Sequence, residues 1–520
     1  MHPAAILFSL LSGLHLSTSP TDLPAIDSAC RPQEVQMDRW RTYRSMSLDL
    51  TGNVPQPQRY ARLQNTRSVP DAFVEELLNT EAFTARVVRW HRDLLWNNVD
   101  NVELLSNRAH LRRTGEIHFV GGTQARLYRG AAVVCADTPA SYNEDGSLQT
   151  ERVGNADVEG YVMVAPYWDP ANPIKVCAFD AQERALSADG ADCGSTAGFP
   201  KTDCGCGPDL RWCATATVRE QVIAAMGKEV EHRVAHIIGN DLPYSELFLS
   251  NIGFVNGPLV HYWKHWPLLS GGIRNNPVPL APDTLPTLPF SATDTWQEMT
   301  LPPSHAGVLT SPAFLLRFQT NRGRASQFYT KFLCSPFEPP AVLPLSDEAT
   351  LEQPDLQQRD GCKYCHAIIE PTAAFWGRWP QSGAGYLNET DFPDHDPTCY
   401  ECATTSARCN NHCKTYYQTK SLHPDEEAYL GDLQALLFIR PEQRLHVAQG
   451  PQLLALQELE TGRLSECAVR TALERLLGRT VTPEEEPWLD SLQSLFVQTG
   501  YDYKALIKAI ITSETYRRVR

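Results

Sequence analysis

The chain lacks the short motifs that identify many enzymes directly. It contains no Gly-x-Ser-x-Gly nucleophile elbow, no His-Glu-x-x-His metal-binding helix and no phosphate-binding glycine loop. It also lacks an excess of positive charge, because its formal net charge is −15. That balance argues against nucleic acid and against anionic membrane surfaces as partners. Internal repeats and low-complexity segments are missing too, so cysteine usage becomes the most informative feature.

Long apolar runs are also missing. The mostly apolar stretch from Ala4 to Leu16 is too short to span a bilayer but has the length of a signal-peptide core. No Lys or Arg precedes it, and a frayed apolar N-terminus is the alternative interpretation. We predict a signal peptide over residues 1–20 and a mature chain without a membrane span. The protein should then be periplasmic or secreted.

One motif names a cofactor. Residues 362–366 read Cys-Lys-Tyr-Cys-His, and a Cys-x-x-Cys-His box is typical of c-type haem attachment. The spacing places Cys362 and Cys365 on one edge of a short helix, where both thiols can form thioethers with one porphyrin. His366 then lies under the iron as the proximal ligand. Without the histidine, the same pair would fit a redox dithiol, half of a zinc site or two disulfide halves.

The remaining cysteines support an oxidising compartment. The chain has 15 cysteines, far more than a reducing cytosol gives reason to keep outside metal sites. Two clusters stand out, one between 177 and 213 and one formed by Cys399, Cys402, Cys409 and Cys413. We predict disulfides in both, since loop-rich segments gain most from covalent links. For the second cluster, four thiolates on zinc or on an iron–sulfur cluster are the alternative.

Helical periodicity dominates the rest of the chain. Apolar residues recur at three- and four-residue intervals near 73–94, 222–238 and 469–511, which predicts amphipathic helices. Between about 103 and 215 the pattern breaks, and short strands are expected near 131–136 and 161–165. We predict a mainly α fold, with several helical modules around a cytochrome-c-like haem segment and an irregular Cys-rich insert containing a few short strands. The expected units are a signal peptide at 1–20, helical modules at 21–130, 216–345 (with Pro-rich linkers) and 446–520, the insert at 131–215 and the haem segment at 346–445.

Several separated stretches resemble the multi-module cytochrome-c-domain proteins of planctomycetes and myxobacteria, which are exported domain families of unknown function. Residues 47–55 and 90–94 are similar to the N-terminal helical module of that family. Residues 306–315, with 322–323 and 339–340, are similar to the segment before the haem box, and 476–479 with 511–517 look like the C-terminal module. The resemblance implies a haem c protein and implies little about activity.

The second axial ligand is left open by the sequence. All six methionines precede Cys362, so the downstream Met of many electron-transfer cytochromes is absent. Downstream histidines stand at 395, 412, 423 and 446, and His305 with Met299 lies upstream. We take His305 and His412 as the first candidates for the distal ligand. Bis-His iron, a ligand from an upstream module and an open position all remain possible at this stage.

Three functions fit these features. The first is an exported c-type cytochrome that binds one covalent haem and transfers electrons to an unidentified redox partner protein in the cell envelope. The second is a peroxidase- or oxygenase-like haem enzyme with an open iron position. The third is an envelope protein in which the haem only stabilises the fold. Coordination logic favours the first, and no catalytic residue can be named from the sequence.

Overall fold

The computed structural model describes residues 36–99, 102–195, 197–198, 200–267, 282–338, 353–405, 408–421, 424–433 and 441–518. The expected signal peptide over 1–20 lies outside these residues. The fold is mainly α, as the periodicity predicts. Within the described ranges, no helix combines the length and the apolar character needed to cross a membrane.

The described residues form 18 α-helices. Their bounds are α1 Arg39–Thr51, α2 Pro57–Ala61, α3 Asp71–Leu78, α4 Glu81–Leu95, α5 Thr123–Arg129, α6 Ala216–Gly239, α7 Glu246–Leu249, α8 Gly257–His265, α9 Pro312–Arg317, α10 Asn321–Phe332, α11 Lys363–Ala373, α12 Pro397–Thr404, α13 Asn411–Tyr416, α14 Pro441–Glu460, α15 Arg463–Leu477, α16 Glu486–Gln498, α17 Tyr503–Thr512 and α18 Glu514–Arg517.

Local signals set the ends of the C-terminal helices. Gly478 adopts the left-handed conformation at φ 68° and ends α15, which only glycine does without strain. Thr482 and Glu485 form the reciprocal capping box that the sequence predicts before α16. The Asp502 side chain accepts a hydrogen bond from the Ala505 N–H and begins α17. The sequence itself contains all three signals, a glycine stop at 478, a Thr-Pro-Glu-Glu box at 482–485 and an Asp cap at 502, and the structure confirms each of them.

In the described part of the chain, eight short strands make three small sheets. The largest has the order β1-β2-β6-β5, with β2 and β6 parallel and the other pairs antiparallel. The strand expected near 161–165 is confirmed, whereas the one expected at 131–136 is wrong, because a disulfide and isolated backbone bonds hold that segment instead of a ladder. The strands are β1 Leu111–Thr114, β2 Ile117–Val120, β3 Glu151–Val153, β4 Ala156–Val158, β5 Tyr161–Val164, β6 Ile174–Cys177, β7 Ile252–Val255 and β8 Gln297–Thr300.

Disulfides stabilise the irregular parts of the chain. Six are present among the described residues, and three of them lie in the Cys-rich insert. The predicted links within the second cluster are confirmed as a nested pair, Cys399–Cys413 around Cys402–Cys409. Because all four sulfurs are bonded, this cluster has no thiolates for zinc or an iron–sulfur cluster. The six pairs are 135–177, 193–204, 206–213, 334–467, 399–413 and 402–409.

A fully buried ion cluster links α5 to the insert. The Arg129 guanidinium contacts the Glu159 carboxylate at 2.5 Å and the Asp180 carboxylate at 3.0 Å. None of these three side chains is exposed, and burial raises the pKa of Asp180 to about 6. The cluster fixes α5 to the insert, where the local apolar core is small.

One apolar core connects most of the helices. Its buried members run from Tyr43 in α1 to Tyr516 in α18 and include residues of α4, α6, α10 and the segment after α11. The helical modules proposed from the sequence therefore share packing, and their boundaries stay predictions. A smaller core surrounds the nested disulfides and includes Ala374 and Val447.

A buried histidine in this core predicts acid destabilisation. The His91 Nδ1 lies 2.8 Å from the Val87 carbonyl, its Nε2 lies 2.8 Å from the Tyr244 hydroxyl, and burial lowers its pKa to about 4. The unfolded chain binds a proton at this site below about pH 6.5, whereas the folded chain does not until about pH 4. As the pH is lowered through this window, the free energy of unfolding should therefore fall by about 1.4 kcal/mol for each pH unit from His91 alone.

Denaturant titrations between pH 6.5 and 4.5 measure this slope. His91→Gln should flatten it by about that amount. Tyr244→Phe is the matched control, because it weakens the same contact and leaves the imidazole buried, so the slope should persist. Equal slopes in His91→Gln and the wild type would contradict the assignment.

Candidate functional site

The Cys-x-x-Cys-His box opens α11, which we call the box helix (Lys363–Ala373). Gly361 adopts a φ of 81° just before it, so the chain turns sharply into the helix. The backbone N–H groups of Cys365 and His366 both donate to the Cys362 carbonyl, at 3.2 and 3.0 Å. Cys362, Cys365 and His366 thus share the first turn, where residues three and four apart lie on one face.

The two box cysteines are the only ones without a disulfide in the part of the chain that the structure describes. Both are partly exposed, and Cys365 packs against the edge of the main core. Every other described cysteine is paired. Since thioether attachment needs two accessible thiols and a nearby imidazole, the donor set at this turn fits haem c.

The box histidine has a carboxylate partner that the sequence reasoning missed. His366 Nδ1 lies 2.6 Å from Glu370 Oε1, one helical turn away. An ionised carboxylate only accepts hydrogen bonds, so Nδ1 carries the proton and Nε2 keeps its lone pair in the neutral ring. Arg322 in α10 donates from Nε to the same Glu370 oxygen at 2.7 Å. The side chain of Glu370 is 3% exposed and that of His366 is 24% exposed.

Helix α10 fastens the box helix and the segment after it. Besides the Arg322–Glu370 pair, Asn321 donates from its side-chain amide to the Trp376 carbonyl at 3.0 Å. Arg324 donates to the Trp379 carbonyl at 2.6 Å. Three side chains within one turn of α10 therefore hold residues 370–379. The helix that carries the box is positioned by side-chain bonds as well as by apolar packing.

Arg324 is a completely buried cation with an unusual set of partners. Among the described contacts it meets no carboxylate, and it donates instead to five backbone carbonyls and one side-chain amide oxygen. Burial lowers its pKa to about 9, so the guanidinium stays charged at neutral pH. Its acceptors lie on Leu315, Phe318, Asn321, Trp379, Pro380 and Gly383.

The aromatic residues after the box belong to the main core. Trp376 and Trp379 are almost completely buried, and the Trp376 indole N–H donates to the Leu309 carbonyl at 2.9 Å. Phe375 stacks on the ring of His446, with centroids 4.1 Å apart. Phe375, Trp376 and Trp379 thus form an aromatic wall that follows directly after the box helix. The wall joins the box helix to the segment 306–315.

The two distal-ligand candidates make their described contacts away from the box helix. His305 is buried, its Nδ1 lies 3.0 Å from the Thr310 hydroxyl and its ring is 5.4 Å from that of Trp379. Burial lowers the pKa of His305 to about 3. His412 lies beside the nested disulfides, with Nε2 4.0 Å from an Asp396 oxygen. The role of either imidazole as an iron ligand stays a prediction.

The other candidates are scattered. The His446 Nδ1 contacts the Pro371 carbonyl at 2.9 Å, so this downstream histidine does touch the box helix. His395 pairs with Asp432 at 2.8 Å. Met299 lies on β8, and His423 falls outside the described residues.

In two further groups of side chains the potential ligand atoms are close enough to hold a metal ion, but the cysteine sulfurs are not available as ligands. Both are found among the described residues, and each contains a disulfide-bonded cysteine. A sulfur in a disulfide is not the thiolate that binds zinc. The groups are Cys135 with Glu159 and Cys177, and Asp396 with Cys399 and His412.

Comparison with known proteins gives no relative. No protein-family model, no curated protein and no solved structure matches this chain.

Proposed function

We propose that this chain is an exported c-type cytochrome that binds one covalent haem and transfers electrons to a redox partner protein in the cell envelope. One observation carries the proposal. The two thiols of the box are the only described ones without a disulfide, and they share a helical turn with an imidazole whose Nδ1 lies 2.6 Å from the Glu370 carboxylate. The resemblance to multi-module cytochrome-c-domain proteins supports the covalent haem and implies little about activity.

Each part of the box has a defined task in this proposal. The Cys362 and Cys365 thiols add across the two porphyrin vinyl groups, so that each sulfur gains a bond to carbon and its hydrogen moves to the vinyl group. His366 offers Nε2 to the iron. Haem then supplies a one-electron centre. α10 and the aromatic wall hold the box helix in place.

The disulfides support the proposed compartment. Six of them are present in the described part of the chain, and disulfides persist in oxidising compartments. We infer that the protein functions in the periplasm or outside the cell, where covalent haem attachment also takes place. The acidic net charge of −15 suits a basic redox partner.

The proposal is tested by expressing the chain with a secretion signal and c-type maturation machinery. We expect intact mass spectrometry to show one added haem per chain, and absorption and resonance Raman spectra to show six-coordinate low-spin iron. Since no methionine follows Cys362, the sixth ligand should not be a downstream Met. His305→Ala and His412→Ala identify the ligand if either one abolishes the low-spin signature.

Two results would change this conclusion. A matured chain without added haem mass would reject the cytochrome. High-spin iron that readily binds carbon monoxide would instead favour the second candidate, a haem enzyme with an open iron position. One observation supports that alternative, because the described contacts of His305 and His412 do not involve the box helix.

A further inference from the structure

We propose that Glu370 is a positioning residue for His366, and that the Glu370–Arg322 pair sets how strongly the box imidazole donates to iron. This inference rests on the proposed haem site and adds to it. The Cys-x-x-Cys-His motif requires no acidic residue four positions after its histidine. The Glu370 carboxylate nevertheless lies 2.6 Å from Nδ1, and the Glu370 side chain is only 3% exposed.

Glu370 sets the orientation of the box imidazole. A hydrogen bond between Nδ1 and Glu370 Oε1 fixes both the tautomer and the rotation of the imidazole, so that Nε2 faces away from the carboxylate. Both residues lie on one helix, four positions apart, so the helix itself places the carboxylate beside the ring. The imidazole is therefore already oriented before iron binds to it.

Glu370 also places a negative charge beside the imidazole. Glu370 is buried, and a hydrogen bond from an imidazole to a carboxylate is stronger in such surroundings than in water. It raises the basicity of the ligating nitrogen and favours the more highly charged iron(III) over iron(II). The second carboxylate oxygen has no hydrogen-bond partner within the described residues. The negative charge of Glu370 is thus shared between His366 and Arg322.

Arg322 opposes the effect of Glu370. Its guanidinium donates to the same oxygen that accepts from the imidazole and draws electron density away from it. The Arg322 side chain is 43% exposed, so solvent screens part of its charge. The two partners should consequently have opposite effects on the haem, and the effect of Glu370 should be the larger.

The test is a spectroelectrochemical titration of the haem-loaded full chain, in which the electrode supplies the one electron that reduces iron(III) to iron(II). Glu370→Gln keeps the size and a hydrogen-bond acceptor and removes the charge. It should shift the reduction equilibrium toward iron(II) at least about tenfold, which is about 59 mV for a one-electron couple. Arg322→Gln should shift the equilibrium the other way, toward iron(III), by a smaller factor.

Glu486→Gln is the matched control for global charge. Glu486 pairs with Arg470 at the start of α16, so the substitution changes the net charge as Glu370→Gln does without touching the box. Its midpoint potential should equal that of the wild type. Arg322 is partly exposed, so its variant should fold and report the sign even if Glu370→Gln does not.

The outcomes separate the two proposals. A wild-type chain that gains no haem mass would overturn the cytochrome and this inference together. Haem-loaded variants whose potentials both move in the same direction would overturn the positioning role alone, because that pattern is what general loosening of the site produces. A wild-type potential in Arg322→Gln or in Glu370→Gln would also overturn it.

Discussion

A chain with Cys362→Ser and Cys365→Ser should leave c-type maturation with no covalent haem. The serine hydroxyl has nearly the shape of the thiol but does not form the thioether. No other thiol is available in the described part of the chain, because the remaining cysteines there are paired in disulfides. The expected change is complete loss of added haem mass and of haem stain on a denaturing gel.

The single variants refine this prediction. Cys362→Ser and Cys365→Ser each leave one thiol on the first turn of the box helix, so a single thioether and a lower yield of haem-loaded chain are expected. An absorption band shifted to longer wavelength should report the vinyl group that stays unsaturated. Equal yields in all three variants and the wild type would contradict the assignment.

The control removes two other cysteines. Cys402 and Cys409 form a disulfide with a sequence separation of 7 residues, and Cys402→Ser with Cys409→Ser should keep the full haem mass. Haem that stays covalently bound in the box double variant would show that attachment takes place elsewhere. Loss of haem in the control as well would mean that export or folding limits attachment, and far-ultraviolet circular dichroism of each variant distinguishes these cases.

The features that the sequence predicts correctly are local. A glycine in the left-handed conformation, a Thr–Glu capping box and an Asp N-cap each act within one helical turn, so the ends of α15, α16 and α17 are readable from neighbouring residues. The box itself is local for the same reason. Its three donors are fixed by helix geometry alone.

The features that it misses depend on residues far apart in the chain. β2 pairs with β6 across more than fifty residues of sequence, and no periodicity encodes that register. Four cysteines at 399–413 allow three pairings, and only the fold selects the nested one. Residues 131–136 have the composition of a strand, but the chain there meets a disulfide and not a neighbouring strand.

The surroundings of the box show the same division. Glu370 could have been found, because it stands four residues after His366 on a helix and must share its face. Arg322 and Arg324 could not, since they reach the box helix and its extension from 48 and 55 residues away in sequence. Arginine is also rarely buried, so composition gives no reason to expect Arg324 in the core.

Arg324→Met should be the most destabilising single substitution around the site. The guanidinium is the shared donor for five backbone carbonyls, and none of these acceptors is removed with it. Each buried acceptor left without a donor costs about 1–3 kcal/mol. Release of a buried charge offsets part of this cost. We expect a net loss of about 4 kcal/mol in the free energy of unfolding.

Two comparisons identify the cause of that loss. Arg324→Lys keeps a charge but has three donors where arginine has five, so it should lose roughly half as much stability. Arg152→Met is the surface control. Arg152 pairs with Asp157 at 2.8 Å and is 60% exposed, and its loss should cost less than about 1 kcal/mol.

Urea titrations of the three variants measure these differences through the transition midpoint at constant slope. Arg324→Met should also affect the site. Arg324 binds the Trp379 carbonyl, and the segment with Trp376 and Trp379 follows directly after the box helix. Near-ultraviolet circular dichroism should therefore lose the signal of these tryptophans at a lower urea concentration than in the wild type. A free energy within about 1 kcal/mol of the wild type would mean that water replaces the guanidinium at these carbonyls, and that α10 holds the box helix and the segment after it without a contribution from Arg324.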